Sequence, residues 1–568
     1  MLSTSNLYCR QIIGIIAAHG VKTAYCCPGS RNAPLLIAIN AEDDFDARVV
    51  VDERSAAFQA LGCSMIEKKP VLIVCTSGSA LLNFAPAVAE AYYAGIPLVV
   101  VSADRPREWI DQDDSQTIRQ YNILSHIVKG SYDIRAIPEG REREFSPDVQ
   151  WTINRTVNEA MVKAAEGKPG PVHINVQLSD PLGQLSDCHD LPQRIVSQIK
   201  AKDIIGQHVI KQMADKASDA RILLVAGFGA PDHNLDKAVK KFASLPNVAV
   251  MAETISNLHD PQPLASMIDS VLCEMSREER DKLRPDIVIS FGGSLISRML
   301  KQYLRSFPTI QHWSLGHSNY FCDCFQSLTQ ILDVSPEMFL RQLYGAMKKV
   351  ATIRHPDYST RWKELRERAL RISEKFIASS SWSDLTALDY ILRNMPLDNL
   401  FLSNGTSVRY SQLIPHRCHA EYCNRGVSGI DGSTATAVGA ANSYTGQTTL
   451  ITGDMSFIYD SGASTLGNIP DTMRIIVMDN SGGGIFRFIK STSGLPQDIL
   501  DKYFCLSGLP EAAAIAGAYG IETLEAGNME QLKEAVAWMA DDSDLPRMLI
   551  VRTSPADSSK ILKSYFFR

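Results

Sequence analysis

The chain has 568 residues, of which 45% are hydrophobic and 21% charged, with a formal net charge of −6 and a pI near 6.1. That length exceeds one compact core and implies about three domains, and the composition excludes a disordered chain. The acidic balance gives no general attraction for nucleic acid or an anionic membrane, so small-molecule chemistry is the default, and arginines that bind an anion must be gathered locally.

The N-terminal stretch MLSTSNLYCRQIIGIIAAHG lacks the basic start and small-residue cleavage site of a signal peptide, and Arg10, Gln11 and His19 interrupt its apolar residues. It reads as an amphipathic first helix. No uninterrupted apolar run approaches the roughly 20 residues that span a bilayer. The 12 cysteines form no C-x-x-C pair, and those in apolar runs, such as Cys75 in VLIVCTSG, read as buried reduced thiols. The expectation is a reducing cytoplasm and no cysteine metal site.

From VKTAYCCPGSRNAPLLIAIN through RVVVDERSAAFQALGCSM and PVLIVCTSGSALLNF to IPLVVVSADRP, one pattern recurs: an apolar run, a Gly/Ser/Asp turn, then a helical segment. Strands that are apolar throughout and alternate with helices predict a parallel sheet covered on both faces. The pattern restarts at ARILLVAGFGA, with PDIVISFGGSL and IQHWSLGH behind it. It restarts again at LDNLFLSNGT, followed by TTLITGDMSFIYD, RIIVMDNSGGGIF and RMLIVRT. Three doubly wound units result, and the polar stretches around 182–205 and 346–385 read as connectors. In Gly227-Phe228-Gly229 a lone G-x-G marks a turn more often than a dinucleotide site.

Ligands of such sheets bind beyond the carboxyl ends of strands. Pro28-Gly29-Ser30-Arg31, Asp52-Glu53-Arg54, Thr76-Ser77-Gly78 and Asp104-Arg105-Pro106 lie there in the first unit, and Gly453-Asp454 and Asn480-Ser481-Gly482 in the third. Gly-Asp or Asn-Ser-Gly-Gly alone reads as a turn. Paired at two strand ends, they offer a carboxylate, an amide oxygen and a loop carbonyl to one hard cation, with glycines that let a diphosphate approach. A glutamate at position 53 alone reads as a helix-start acid.

The pair Gly453-Asp454 and Asn480 resembles the G-D-x…N signature of thiamine-diphosphate enzymes. Within them PGSRNAPL (28–35), DERSAAFQALG (52–62), TSGSALLNFAPAVAEA (76–91), SADRPRE (102–108), SQTIRQ (115–120), NRGVSGIDG (424–432), GDMSFIYD (453–460) and NSGGGIF (480–486) are similar to one branch. That branch is the menaquinone-pathway family that makes 2-succinyl-5-enolpyruvyl-6-hydroxy-3-cyclohexene-1-carboxylate. The match covers the first and third units well and the middle one poorly.

The resemblance implies an α/β fold of the pyruvate oxidase/decarboxylase-like type. Residues 1–185 would bind the pyrimidine, 200–345 form a central transhydrogenase-like domain and 380–568 bind the diphosphate, with connectors at 186–199 and 346–379. Glu53 would be the catalytic activator, bonded to the pyrimidine ring so that its exocyclic nitrogen can take a proton. Pro28, Asn404, Thr406 or Ser407, Gly429, Gly453, Met455, Ser456 and Gly483 would line the cofactor. Ile430 would support its bent conformation, and Ile485 and Phe486 would shield it from water. Asp454, Asn480 and Gly482 would hold magnesium, with manganese as the alternative.

The implied reaction decarboxylates 2-oxoglutarate and adds the resulting carbanion to isochorismate. Arginine suits these carboxylates because its fork binds them bidentately. Arg409 and Arg425 are assigned to 2-oxoglutarate, and Ser30, Arg31, Arg105 and Gln116 to isochorismate. Arg298 is a further substrate candidate in the middle unit, although a single arginine is usually a surface ion pair. The family also implies a homodimer or dimer of dimers, with Glu53 and the metal ligands of one site coming from different chains. Two rivals share parts of this pattern: a thiamine-dependent 2-oxoacid decarboxylase or acetohydroxyacid synthase, and a non-catalytic binding protein that keeps the fold.

Overall fold

The structure is a computed structural model, and it describes residues 2–136, 145–187, 193–199, 201, 203–258, 267–318, 320–416, 418–464, 469–489, 491–506 and 508–566. The chain divides into two compact units. One contains Met1–Lys200, Gly426–Gly446 and Tyr459–Met473, and the other Ala201–Arg425, Gln447–Ile458 and Arg474–Arg568. Three parallel sheets lie within them, matching the parallel α/β architecture read from the apolar runs.

In the first unit the strands are β1 (Leu2–Thr4), β2 (Thr23–Cys26), β3 (Asp46–Val49), β4 (Val71–Cys75), β5 (Leu98–Asp104), β6 (Ser131–Ile134), β7 (Val172–Gln177) and β8 (Leu185–Asp187). Six of them pair in parallel in the order β3-β2-β4-β5-β7-β6, and β1 pairs antiparallel with β8. Strands β2, β4, β5 and β7 are buried at every position because helices cover both faces, whereas β3 at the edge is largely exposed.

The second unit begins with β9 (Ile222–Ala226), β10 (Val248–Ala252), β11 (Ile287–Phe291), β12 (Gln311–Leu315) and β13 (Leu328–Leu332), ordered β10-β9-β11-β12-β13. The stretch expected to be a connector at 346–379 contains the helix Tyr358–Ser379. Its Tyr358, Trp362, Leu365 and Ala369 are buried in one of the apolar clusters on this sheet, and their spacing is that of one helical face. Residues 193–199 of the other expected connector lack regular structure and are mostly exposed, and 188–192 lie outside the described residues.

The last sheet contains β14 (Asn399–Leu402), β15 (Ala420–Tyr422), β16 (Thr448–Gly453), β17 (Met473–Asp479), β18 (Glu522–Ala526) and β19 (Arg547–Arg552), ordered β15-β14-β16-β17-β19-β18. Most of the segments joining β15 to β16 and β16 to β17 belong to the first unit. The helix Ser433–Ala441 in the first of these segments packs on the helix Glu53–Glu67 with backbone against backbone. A Cβ on Gly62 would lie 1.9 Å from the Thr436 carbonyl oxygen, one on Gly439 would lie 1.9 Å from that of Gln59, and one on Gly432 would enter the Phe58 ring. Among the described residues no helix is long and apolar enough to cross a membrane.

This crossing leaves no room for a methyl group. Gly439→Ala is expected to lower stability by about 1–3 kcal/mol through overpacking. Gly345→Ala, on an exposed helix position with open space around it, should be neutral or stabilising. Urea denaturation of the two variants checks this, and equal midpoints would contradict it.

Candidate functional site

Strand β16 ends at Gly453 and the chain turns at once into the short helix Asp454–Tyr459, so the Asp454 carboxylate stands at a helix start beside the end of β17. Its Oδ1 accepts the N–H of Met455 at 2.6 Å, and its Oδ2 accepts those of Gly482 at 2.8 Å and Asn480 at 3.2 Å. Asp454, Asn480 and Gly482 therefore converge on one point. Ser481, Gly482 and Gly483 all have positive φ. Carbonyl oxygens of Leu506 and Phe504 come so close to Gly482 and Gly483 that neither position has space for a side chain.

Burial pushes Asp454 up to about 6, partly offset by its backbone hydrogen bonds, and the nearby charge of Asp479 pushes the same way. The Asn480 amide donates to Asp384 at 3.1 Å, another buried carboxylate raised by desolvation. Among the described residues no cationic side chain forms an ion pair with Asp454. A buried acidic centre held only by neutral donors fits a divalent cation, which would supply the missing positive charge. Met455 lies against Gly483, Ser456 is buried, and Ile485 and Phe486 are half-buried just past the loop, the Phe486 ring 5.3 Å from that of Phe504.

Beyond β14 in the same unit, Gly405 takes φ +111 and Asn404 is buried. The Asn404 amide donates to the Asn424 carbonyl at 2.6 Å, and its oxygen accepts Arg425 Nη1 at 2.9 Å. Arg409 donates to the Gly405 carbonyl. Burial, then the positive charges of Arg425 and Arg298 in that order, together lower Arg409 to about 10. Arg409 thus feels the charge of both other arginines. Arg298, Thr406 and Arg409 line a cavity of ≈ 380 Å³ whose apolar wall includes Phe488, Ile489 and Leu562.

Glu253 lies at this cavity, fully buried, with its Oε1 accepting the N–H groups of Ile296 at 2.7 Å and Ser297 at 2.8 Å. It thereby fixes the backbone just before Arg298. Desolvation pushes it up to about 7 despite those hydrogen bonds, and among the described residues its Oε2 has no hydrogen-bond partner.

In the first unit Glu53 is the first residue of its helix, behind the N-cap Asp52, and its Oε2 accepts the Asn83 amide at 3.1 Å. Pro28 and Ser30 are exposed past β2, while Arg31 is buried and donates to the Leu178 carbonyl at 3.1 Å. Burial lowers Arg31, and the charge of Arg105 adds to that. Arg105 itself pairs with Asp114 at 2.8 Å, and Gln116, at φ +58, donates to the Ser77 carbonyl at 3.1 Å. Near Gly429 and the 40% exposed Ile430, the buried Glu90 accepts the N–H groups of Gly426 at 2.5 Å and Val427 at 2.7 Å.

The expected residues therefore form four groups. Asp454, Asn480 and Gly482 meet, as do Arg298, Arg409, Arg425 and Asn404; Arg31 and Arg105 are neighbours, and Glu53 stands with Asn83. Sequence reading missed Asn83, Glu90, Glu253 and Asp384. Asn83 and Glu90 lie inside the segment 76–91 that carries the resemblance, whereas Glu253 and Asp384 have no local motif.

Residues 8–123 match the family described as "Thiamine pyrophosphate enzyme, N-terminal TPP binding domain". Over 98% of this chain and 96% of the relative, the chain is 37% identical to a 2-succinyl-5-enolpyruvyl-6-hydroxy-3-cyclohexene-1-carboxylate synthase of Porphyromonas gingivalis. It is 35% identical to the synthase of that name from Cytophaga hutchinsonii, over 97% of both chains. In fold it is similar to the benzoylformate decarboxylase of Polynucleobacter necessarius, with a TM-score of 0.71 at 17% identity, covering 96% of this chain and 98% of that one.

Because the folded state holds the Glu253 proton more tightly than the unfolded chain does, its contribution to stability is full below about pH 4.5 and is lost as the pH rises through about 7. Glu253→Gln keeps the acceptor for Ile296 and Ser297 and removes the titration. Relative to the native protein the variant should gain up to about 3 kcal/mol between pH 4.5 and 8. Denaturation midpoints across that range check this, and a pH-independent difference would contradict it.

Proposed function

Because the chain belongs to the 2-succinyl-5-enolpyruvyl-6-hydroxy-3-cyclohexene-1-carboxylate synthase family of thiamine-diphosphate enzymes, we propose that it decarboxylates 2-oxoglutarate and joins the remaining four-carbon unit to isochorismate by 1,4-addition. It is a transferase that makes a carbon–carbon bond with thiamine diphosphate in menaquinone biosynthesis. The observation that carries the substrate reading is Arg409, lowered by burial and then by the positive charges of Arg425 and Arg298, an excess of charge that a dicarboxylate would relieve.

When bound, thiamine diphosphate supplies a stabilised carbanion. In this reading Asp454, the Asn480 side chain and the Gly482 carbonyl hold the cation, magnesium or manganese, that carries the diphosphate. Gly453, Met455, Ser456 and Gly483 shape the walls of that cradle, and Asn404 and Thr406 reach the cofactor from the end of β14. Glu53 moves a proton at the pyrimidine ring, with Asn83 orienting its carboxylate. Pro28, Gly429 and Ile430 complete the cofactor contacts. Ile485 and Phe486 would exclude water from the bound cofactor and so guard its reactive carbon against premature protonation.

Arg409 and Arg425 take the carboxylates of 2-oxoglutarate, with Arg298 beside them. Ser30, Arg31, Arg105 and Gln116 address isochorismate. The protein works in the cytoplasm as a homodimer, or a dimer of dimers, with Glu53 and Asp454 of one site contributed by different chains.

Three measurements test this. Purified protein with magnesium and thiamine diphosphate should consume isochorismate only when 2-oxoglutarate is present, and formation of acetolactate-type products from pyruvate instead would refute the substrate assignment. Arg409→Ala should raise the KM for 2-oxoglutarate roughly 10–100-fold, the loss of a charge-assisted contact. Glu53→Gln and Asp454→Asn should each lower kcat at least about 100-fold. Refolded or co-expressed together, they should recover about a quarter of native activity, because half the dimers are mixed and each mixed dimer has one intact site. No recovery would place both residues of a site on one chain.

A further inference from the structure

In the second unit, ahead of β15, His416, Cys418 and Glu421 bring Nε2, Sγ and a carboxylate oxygen within 4.8 Å of one another. The side chains of His416 and Glu421 are 2% and 1% exposed, and Cys418 is partly exposed. None of the three belongs to the cofactor or arginine groups described above.

The hydrogen bonds around the cluster determine which atoms face inward. His416 Nδ1 lies 2.8 Å from the Ile414 carbonyl oxygen. A carbonyl can only accept, so Nδ1 carries a hydrogen, and the 2.9 Å contact of Nε2 with Glu421 Oε2 is an ion-pair hydrogen bond in which Nε2–H donates to the carboxylate. The other carboxylate oxygen, Oε1, is held from outside by the hydroxyls of Ser411, at 3.2 Å, and Thr254. Cys418 Sγ lies 3.9 Å from Oε2.

Nδ1 and Oε1 are therefore hydrogen-bonded in the way that orients metal-binding histidines and carboxylates, while Nε2, Sγ and Oε2 lie together within. From this geometry we propose that His416, Cys418 and Glu421 bind one divalent cation of the zinc class. Mixed N, S and O donors suit such an ion in a tetrahedral arrangement with water as the fourth ligand. As the ion binds, it displaces two protons to solvent, one from His416 Nε2 and one from the Cys418 thiol, and the ring nitrogen and the thiolate coordinate. Because Glu421 also holds Thr254, the ion would tie the start of β15 to the segment after β10, just ahead of Asn424 and Arg425. The proposal is independent of the reaction assigned above.

The test uses the full-length protein, stripped with a chelator and titrated with cobalt(II) while magnesium and thiamine diphosphate are saturating. Binding of one equivalent per chain, with a sulfur-to-cobalt charge-transfer band in the near ultraviolet and the strong visible bands of four-coordinate cobalt, supports the site. An oxygen-only site for the diphosphate cation cannot give the sulfur band. Cys418→Ser should abolish that band and His416→Gln should weaken binding at least about tenfold. Cobalt bound without the sulfur band, the same band in Cys418→Ser, or no cobalt bound would each overturn the proposal, the last leaving the cluster as a buried imidazolium–carboxylate pair. The native protein's own spectrum decides the matter if either variant fails to fold.

Discussion

A buried carboxylate that has no cationic partner among the described residues organises the end of the last sheet. Asp454 is satisfied only by the N–H groups of Met455, Asn480 and Gly482, and this requires the loops after β16 and β17 to meet over one spot. Neutral donors lower the cost of burying a charge without removing it, which is why the group stays above the ordinary aspartate range. The left-handed run at 481–483 follows from the same demand, since the chain must turn its amides inward within three residues. An ion that met this carboxylate would replace strain in the electrostatics with attraction, at a place where a strand end already presents backbone to a phosphate.

The arginine group poses the opposite problem in the same unit. Arg298 and Arg409 hold positive charge at a partly apolar cavity, the charge of Arg425 bears on Arg409, and the nearby acids do not fully balance them: Glu253 stays near 7, and Asp269 is likewise raised by desolvation. The unit thus holds an acidic centre and a basic centre, and the two are built from different strand ends. A protein with an overall charge of −6 can concentrate arginine in this way only locally.

The parallel sheets and the strand-end positions were legible because long buried strands read as uninterrupted apolar runs and their loops follow at once. Asp454 and Asn480 could be found for that reason, as could Arg31 and Arg105. The strands β10, β13, β15 and β18 are shorter or flanked by polar residues, and none stood out in the apolar pattern. The helix Tyr358–Ser379 reads as a connector because its charged residues, as in Arg361, Lys363, Glu364 and Arg366, outnumber the four that pack in the apolar cluster on the central sheet. Glu90 and Glu253 were invisible for another reason: a carboxylate that accepts backbone N–H groups far away in sequence leaves no motif, because the donors are available at any residue but proline.

The placement of Gly426–Gly446 and Tyr459–Met473 in the first unit bears on how the protein is made. A ribosome delivers β2 to β7 long before the helix Ser433–Ala441, so the helix that begins at Glu53 waits through most of synthesis with its glycine-lined face uncovered. Closure of that face is a long-range event in the chain, which slows folding and prolongs exposure to other nascent chains. It also means that no single cut in the sequence separates the two units, and a fragment ending near residue 200 would lack part of its own core.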